Sequence, residues 1–133
     1  MRHRKKTVKL GRKTEHRESM LANMVTSLIE HTRITTTLPK ARAASSLAEK
    51  MVTLAKKGDL AARRLAISRI KSKEGVKALF ANIGPFFKER QGGYTRVLKL
   101  GRRPSDSSEM CILEWVDYVK PAETAAPAEA AKS

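Results

Sequence analysis

The hydrophobic positions near the start of the chain recur at the spacing of one helical face. Apolar side chains at i, i+1, i+4 and i+5 predict a helix over about residues 15–31, with the Thr14 hydroxyl as its N-cap and Glu15 in its first turn. The β-branched run at 33–37 then predicts a short strand. The apolar residues of the helical face are Met20, Leu21, Met24, Val25, Leu28 and Ile29.

Capping and turn residues indicate two helices after this strand. Thr37 is expected to cap the second helix, Pro39 is tolerated in its first turn, and Gly58 is expected to end it in a left-handed conformation. Asp59 is the predicted cap of a third helix over 60–70. The expected buried stripe of the second helix is Ala44, Leu47, Ala48, Met51, Leu54 and Ala55.

A fourth helix is predicted to begin at Ser72 or Lys73. Its apolar positions continue to residue 83, and the Gly84-Pro85 dipeptide is expected to stop it. The aromatic pair directly after this dipeptide is expected to anchor the connecting segment in the core. The apolar residues assigned to this helix and connection are Val76, Leu79, Phe80, Ile83, Phe86 and Phe87.

Two strands are predicted toward the end of the chain. Gly92-Gly93 marks a turn, and the alternation that follows predicts a strand over 94–100. Residues 110–119 form the longest strand candidate and contain the single tryptophan, Trp115. These two strands are expected to form a hairpin with a long loop over 101–109.

The order of elements predicts an α+β fold in two layers. A helix, a strand, three helices and two strands are expected to place a small three-stranded mixed sheet against the helices. A length of 133 residues fits one domain. We therefore predict a basic N-terminal arm over 1–13, a single globular domain over 14–119 and a disordered Ala/Pro-rich tail over 120–133.

The net charge of the chain indicates a class of binding partner, which the hydrophobic pattern does not. The chain carries 28 Lys and Arg against 13 Asp and Glu, a net charge of +15. The excess is concentrated in residues 1–17, 40–74 and 88–103, whereas residues 104–119 contain four acidic residues and no Lys or Arg. Because such an excess opposes compaction, it indicates a polyanionic partner, for which nucleic acid is the first candidate.

Several functional classes lack support in the sequence. No apolar run approaches the length of a membrane span, and the basic N-terminus is not followed by the apolar segment of a secretory signal. The lone Cys111 is expected to be a small packed side chain, which is compatible with a reducing cytoplasm. No phosphate-loop motif is present, and the spacing of His16 and His31 does not suit a metal site. We therefore expect no catalytic residue, cofactor, metal or small-molecule substrate.

Four carboxylates near the C-terminal end leave two interpretations open. They could serve a metal-dependent nuclease, or they could lie on a solvent-facing edge turned away from the polyanion. We favour the second interpretation. The residues are Asp106, Glu109, Glu114 and Asp117.

The basic segments are suited to phosphate contacts. Arginine forks bind phosphates and guanine edges, and the N-terminus of the second helix, at 37–40, could also receive a phosphate. Aromatic residues are scarce, and only Tyr94, on the predicted face of Arg96, lies on the basic strand. This favours recognition of shape and phosphate over base stacking. The first candidate contacts are Arg2, Arg4, Arg12, Arg17 and Arg96.

Ordered short motifs over residues 1–119 resemble the bacterial large-subunit ribosomal protein family numbered seventeen. The most specific combination is the basic arm, TTLPKA at 36–41 and GGYTRVLK at 92–99. The other matching motifs are MRHRKK at 1–6, HR at 16–17, NM at 23–24, SL at 27–28, TLAK at 53–56, RRLA at 63–66, LF at 79–80 and GP at 84–85.

The resemblance implies a structural component of the large ribosomal subunit, on its solvent side near the tunnel exit, beside neighbouring ribosomal proteins in the cytoplasm. Phe86 departs from the family, whose members tend to carry Arg there, and the tail from Lys120 exceeds its shorter members. The residues expected to contact ribosomal RNA are Arg2, His3, Arg4, Lys5, Lys6, Lys9, Arg12, Lys13, His16, Arg17, Arg33, Lys40, Arg42, Arg63, Arg64, Arg69, Tyr94, Arg96, Lys99 and Arg102.

Two other functions stay open at this point. A DNA-associated architectural protein would bind duplex DNA comparably and would not associate stably with ribosomes. An RNA-processing enzyme would depend on a metal and on the four carboxylates.

Overall fold

The computed structural model describes residues 9–119, so the predictions made for residues 1–8 and for the tail at 120–133 lie outside the described residues. The predicted α+β class and order of elements are confirmed within that range. The helices are α1 (Thr14–His31), α2 (Leu38–Lys57), α3 (Leu60–Ile70), α4 (Lys73–Ala78) and α5 (Gly84–Phe86), with a π-helical turn (Leu79–Ile83) joining the last two. The strands are β1 (Arg33–Thr37), β2 (Thr95–Arg102) and β3 (Glu109–Trp115).

Helix starts follow the capping predictions only in part. Lys13 is the N-cap of α1 and Thr14 is already helical, so the predicted Thr14 cap is wrong. Thr37 occupies the N-cap position of α2 but its side chain makes no capping hydrogen bond. Asp59 does cap α3, because its carboxylate accepts a hydrogen bond from the Ala62 backbone N–H at 2.7 Å. Gly58 ends α2 with φ +69°, as predicted.

The fourth helix continues beyond Gly84-Pro85, where it was predicted to stop. In the π-helical turn, the Gly84 backbone N–H donates to the carbonyl of Leu79, five residues back. This change of register places Pro85 in the first turn of α5, where its missing N–H costs little. Gly84 also lies against α2, since a Cβ at this position would be 2.9 Å from the Ala55 Cβ.

The sheet has the strand order β1-β3-β2 and is antiparallel throughout. The expectation of a mixed sheet is therefore wrong. β3 lies between its two neighbours and runs opposite to both: the hairpin reverses the chain between β2 and β3, and β1 pairs antiparallel with the other edge of β3. Backbone pairing extends further than predicted, to Arg102 and Glu109, which shortens the predicted long loop. β3 ends at Trp115 rather than at residue 119, since Asp117 turns the chain with φ +57°.

One sheet face packs on the helices and the other faces away from them. The row Ile34, Leu113 and Val97 points to the core, whereas the next row, Arg33, Glu114 and Arg96, lies on the opposite face. Trp115 joins the sheet to α1 because its indole N–H donates to the Leu28 carbonyl at 3.0 Å.

Three side chains test the predicted packing of the core. Phe87 is buried as predicted, but Phe86 is 49% exposed, so only the second phenylalanine is a buried anchor. Cys111 is fully buried, in agreement with its predicted packing role, and burial raises the pKa of its thiol.

Within residues 9–119 no helix is both long enough and apolar enough to cross a membrane.

Candidate nucleic-acid interface

A groove of about 630 Å³ lies between α1, α2 and α3. Its polar lining is dominated by positive charge, and none of residues 9–119 lines it with an aromatic side chain. Arg17, Arg42 and Arg69 were predicted from the sequence as separate contacts, and the fold brings them together here. Among the described residues, the charged side chains of the groove are Arg17, Arg42, Lys50, Arg69 and Lys71, with one carboxylate, Glu18.

Helix geometry explains how these cations converge. Arg42 and Lys50 are eight residues apart on α2, which places them two turns apart on one exposed face. Arg17 projects from the start of α1. Arg69 lies in the last turn of α3, and Lys71 follows it as the left-handed C-cap, with φ +63°.

The stability of the helices accounts for only part of this charge. Arg69 and Lys71 lie at the C-terminal end of α3, where cations offset the partial negative charge of the helix. Arg17 lies near the N-terminal end of α1, where the helix dipole gives a cation no such advantage. An external anion therefore explains the whole group better than capping does.

The groove cations are not neutralised by the part of the chain that the structure describes. The ion pairs found there join Glu30 to His31, Glu114 to Arg33 and to Arg96, and Asp106 to Arg103. None of the five groove cations belongs to such a pair. Their charge is thus available to phosphates, whose binding would release condensed counterions.

Two of the predicted contact residues, Arg33 and Arg96, form ion pairs with Glu114. Its carboxylate accepts hydrogen bonds from Arg33 and from Arg96, the latter at 2.6 and 2.9 Å. The bond from Arg33 is the main cause of a lowered Glu114 pKa. Glu114 is only 6% exposed, so its expected place on a solvent-facing edge is wrong. Strand register is the reason, because it sets Glu114 directly between the two arginines.

The other carboxylates do not assemble a metal site. Asp106 accepts two hydrogen bonds from the guanidinium of Arg103, which hold its pKa well below the usual range. Glu109 and Asp117 are exposed. Among residues 9–119 no group of three or more His, Cys, Asp or Glu side chains is placed to hold a metal ion. The cluster required by the nuclease interpretation is therefore not formed there.

Tyr94 was expected to contact RNA, but its side chain lies in the core. Only 4% of the residue is exposed, and its ring packs against Phe87 with centroids 5.3 Å apart. Its hydroxyl accepts a hydrogen bond from the Lys56 ammonium at 2.9 Å, which is the main cause of a lowered Tyr94 pKa. The predicted alternation fails because Tyr94 precedes β2 and turns inward, so its ring cannot stack on a base.

The remaining predicted contacts are spread over other surfaces. Arg63 and Arg64 do not line the groove. Arg63 and Arg69 flank opposite sides of the buried stripe of α3, and the Arg63 guanidinium lies 4.9 Å from the centre of the Phe80 ring. Arg12 and Lys40 are partly buried. The exposed ones are Lys9, Lys13, His16, Arg63, Arg64, Lys99 and Arg102, whereas Arg2, His3, Arg4, Lys5 and Lys6 lie outside the described residues.

Sequence reasoning missed Lys50 and Lys71. The signal for Lys50 was its spacing of eight residues from Arg42, which shares a helical face. Lys71 directly follows α3, and its position beside Arg69 depends on the left-handed turn that ends this helix. Only the first of these two could have been found by counting along the chain.

Comparison with known proteins gives a consistent family. The sequence profile of the family described as ribosomal protein L17 matches residues 20–116. Large ribosomal subunit protein bL17 of Finegoldia magna is 57% identical over 112 residues, which cover 84% of this chain and 86% of the relative. The bL17 proteins of Methylacidiphilum infernorum and Geobacter metallireducens are 50% and 52% identical, covering 92% and 98% of this chain and 94% and 75% of those proteins. On this evidence the chain belongs to the ribosomal protein L17 family.

Proposed function

We propose that this chain is a structural constituent of the large ribosomal subunit that binds and stabilises large-subunit ribosomal RNA. The observation that carries the proposal is the convergence, in the groove between α1, α2 and α3, of five cations that form no ion pair within residues 9–119. Family membership supports a ribosomal component rather than an enzyme.

The chemistry of the groove favours backbone recognition. Arginine and lysine neutralise phosphates, and the described lining of the groove has no aromatic side chain on which a base could stack. The basic N-terminal arm would add further phosphate contacts and fold on binding. From the family resemblance we extend the proposal to a cytoplasmic ribosome, a position near the tunnel exit and contacts with neighbouring large-subunit proteins.

Sedimentation tests the ribosomal part of the proposal. In a sucrose gradient of cell extract, the protein should travel with free large subunits and remain there after a salt wash. Its absence from ribosomal fractions would overturn the proposal, and equal affinity for duplex DNA would instead support the architectural alternative.

Salt dependence tests the groove itself. Replacing Arg42, Lys50 and Arg69 by glutamine should reduce the slope of log affinity for large-subunit RNA against log salt by about 2–3, at roughly 0.7–0.9 per phosphate contact. The control variant replaces Lys73, Lys77 and Lys88 by glutamine. It removes the same number of positive charges, but from positions outside the groove. Equal slopes for the groove and control variants would contradict specific use of the groove.

Deletion of residues 1–13 tests the arm separately. The truncated protein should bind RNA more weakly and with a flatter salt dependence. With fewer phosphate contacts, binding releases fewer counterions from the RNA. A slope equal to that of the full chain would show that the arm makes no phosphate contacts.

A further inference from the structure

Two serine hydroxyls lie among the cations of the groove. Ser46 is four residues from Arg42 and four from Lys50, so the three side chains share one face of α2 at axial steps of about 6 Å. Ser68 lies on α3 directly before Arg69. Each hydroxyl is therefore placed next to the cations expected to hold phosphates.

The hydrogen-bonding capacity of these hydroxyls is largely unused. The Ser68 hydroxyl donates to the Leu65 carbonyl at 2.7 Å, which leaves its oxygen lone pairs free to accept a hydrogen bond. Ser46 is exposed and makes no hydrogen bond through its side chain to any other residue in 9–119. It can therefore donate or accept.

The order of groups on α2 corresponds to the chemistry of an RNA strand. An RNA backbone alternates phosphates with riboses, and α2 presents a cation, a hydroxyl and a cation in succession. The ribose 2′-hydroxyl both donates and accepts, and it is the group by which proteins distinguish RNA from DNA. Since no aromatic side chain lines the groove, this hydroxyl is the feature of RNA most readily recognised there.

We infer that Ser46 and Ser68 hydrogen-bond to ribose 2′-hydroxyls of the strand whose phosphates Arg42, Lys50 and Arg69 hold, which makes the groove selective for RNA over DNA. This inference rests on the proposed function, because it requires the groove to bind a nucleic-acid backbone. Ser68 would accept a hydrogen bond from the 2′-hydroxyl, whereas Ser46 would either donate or accept one.

The test uses the full chain and three 20-base-pair duplexes of one sequence: RNA, RNA with 2′-fluoro riboses, and DNA. The 2′-fluoro duplex keeps the phosphates and the A-form shape but lacks the hydroxyl. The wild type should bind the RNA duplex more tightly than the 2′-fluoro duplex. Replacing Ser46 and Ser68 by alanine should weaken RNA binding about 5- to 150-fold, as expected for two net hydrogen bonds, and leave 2′-fluoro binding unchanged.

Control variants separate this inference from the function on which it rests. Replacing both serines by threonine retains the hydroxyls and should preserve the preference for RNA, and Trp115 fluorescence checks that each variant is folded. If the alanine variant binds all three duplexes as the wild type does while the Arg42, Lys50 and Arg69 variant is weakened, the inference is overturned and the proposed function stands. If neither variant is weakened, the groove is not the RNA site and both fail.

Discussion

Replacement of Glu114 by glutamine should destabilise the sheet by about 1.5 kcal/mol. Glu114 is 6% exposed and accepts charge-assisted hydrogen bonds from Arg33 and Arg96, whose side chains are 58% and 47% exposed. Such bonds contribute about 1.5–3 kcal/mol when buried, and exposed ion pairs about 0.2–1 kcal/mol. The expected value lies between these limits, because water can solvate the arginines once the charge is removed. Glutamine also turns an amide donor toward one arginine donor.

The effect should depend on pH in one direction. The arginines lower the pKa of Glu114 below its ordinary value of 4.5, so the folded state favours the ionised carboxylate. The stability that this ionisation contributes is complete above the ordinary pKa and is lost as the pH falls through the lowered value. The difference in stability between wild type and variant should therefore be constant from pH 7 to about 5 and should shrink below about 4.5.

Urea unfolding measures this difference directly. Trp115, the only tryptophan, is buried and follows Glu114 in β3, so its fluorescence reports on the sheet. With a slope of about 1.5 kcal/mol/M, the expected loss lowers the midpoint by about 1 M. The matched control is Asp106→Asn, which removes an exposed carboxylate–arginine pair and should leave the midpoint unchanged. Equal midpoints for wild type and Glu114→Gln at pH 7 would refute the structural role of the three charges.

Two further predictions use the same unfolding assay, and a third adds a measurement of ribosome assembly. Gly84→Ala should cost about 1–3 kcal/mol, because its Cβ would lie 2.9 Å from the Ala55 Cβ, and an unchanged midpoint would show that α2 moves aside. Asp59→Ala should cost about 1 kcal/mol through the lost cap of α3, and an unchanged midpoint would mean that another group satisfies the Ala62 N–H. Truncation after Val119 should leave stability and ribosome assembly intact, because the Ala/Pro-rich sequence of the tail offers no core-forming face, and loss of either would show that the tail is required.

Local signals were sufficient for the elements whose ends are fixed by neighbouring residues. The bounds of α3 were predicted from Asp59 and the apolar pattern because the cap hydrogen bond spans only three residues. The strand β1 followed from a run of β-branched residues. Gly84-Pro85 misled the prediction because the π-helical turn shifts the hydrogen bonds before the proline, and this shift depends on packing against α2.

Long-range pairing decided the features that the sequence did not reveal. The burial of Glu114 depends on a partner 81 residues away, Arg33, which no periodicity connects to it. The antiparallel sheet likewise depends on which neighbours β3 takes. For the groove, the basic segments and the family resemblance identified three of the five cations among the described residues, but only the packing of α1, α2 and α3 placed them together.

The central position of β3 has a consequence for folding during synthesis. β1 and β2 have no direct pairing with each other, so β3 must be present before either edge strand acquires its backbone partners. The helices α1, α2 and α3 end by residue 70 and can pack while the later segments are still within the ribosome. The groove between them can therefore form first, so a nascent chain would carry the proposed phosphate-binding surface before the sheet is complete.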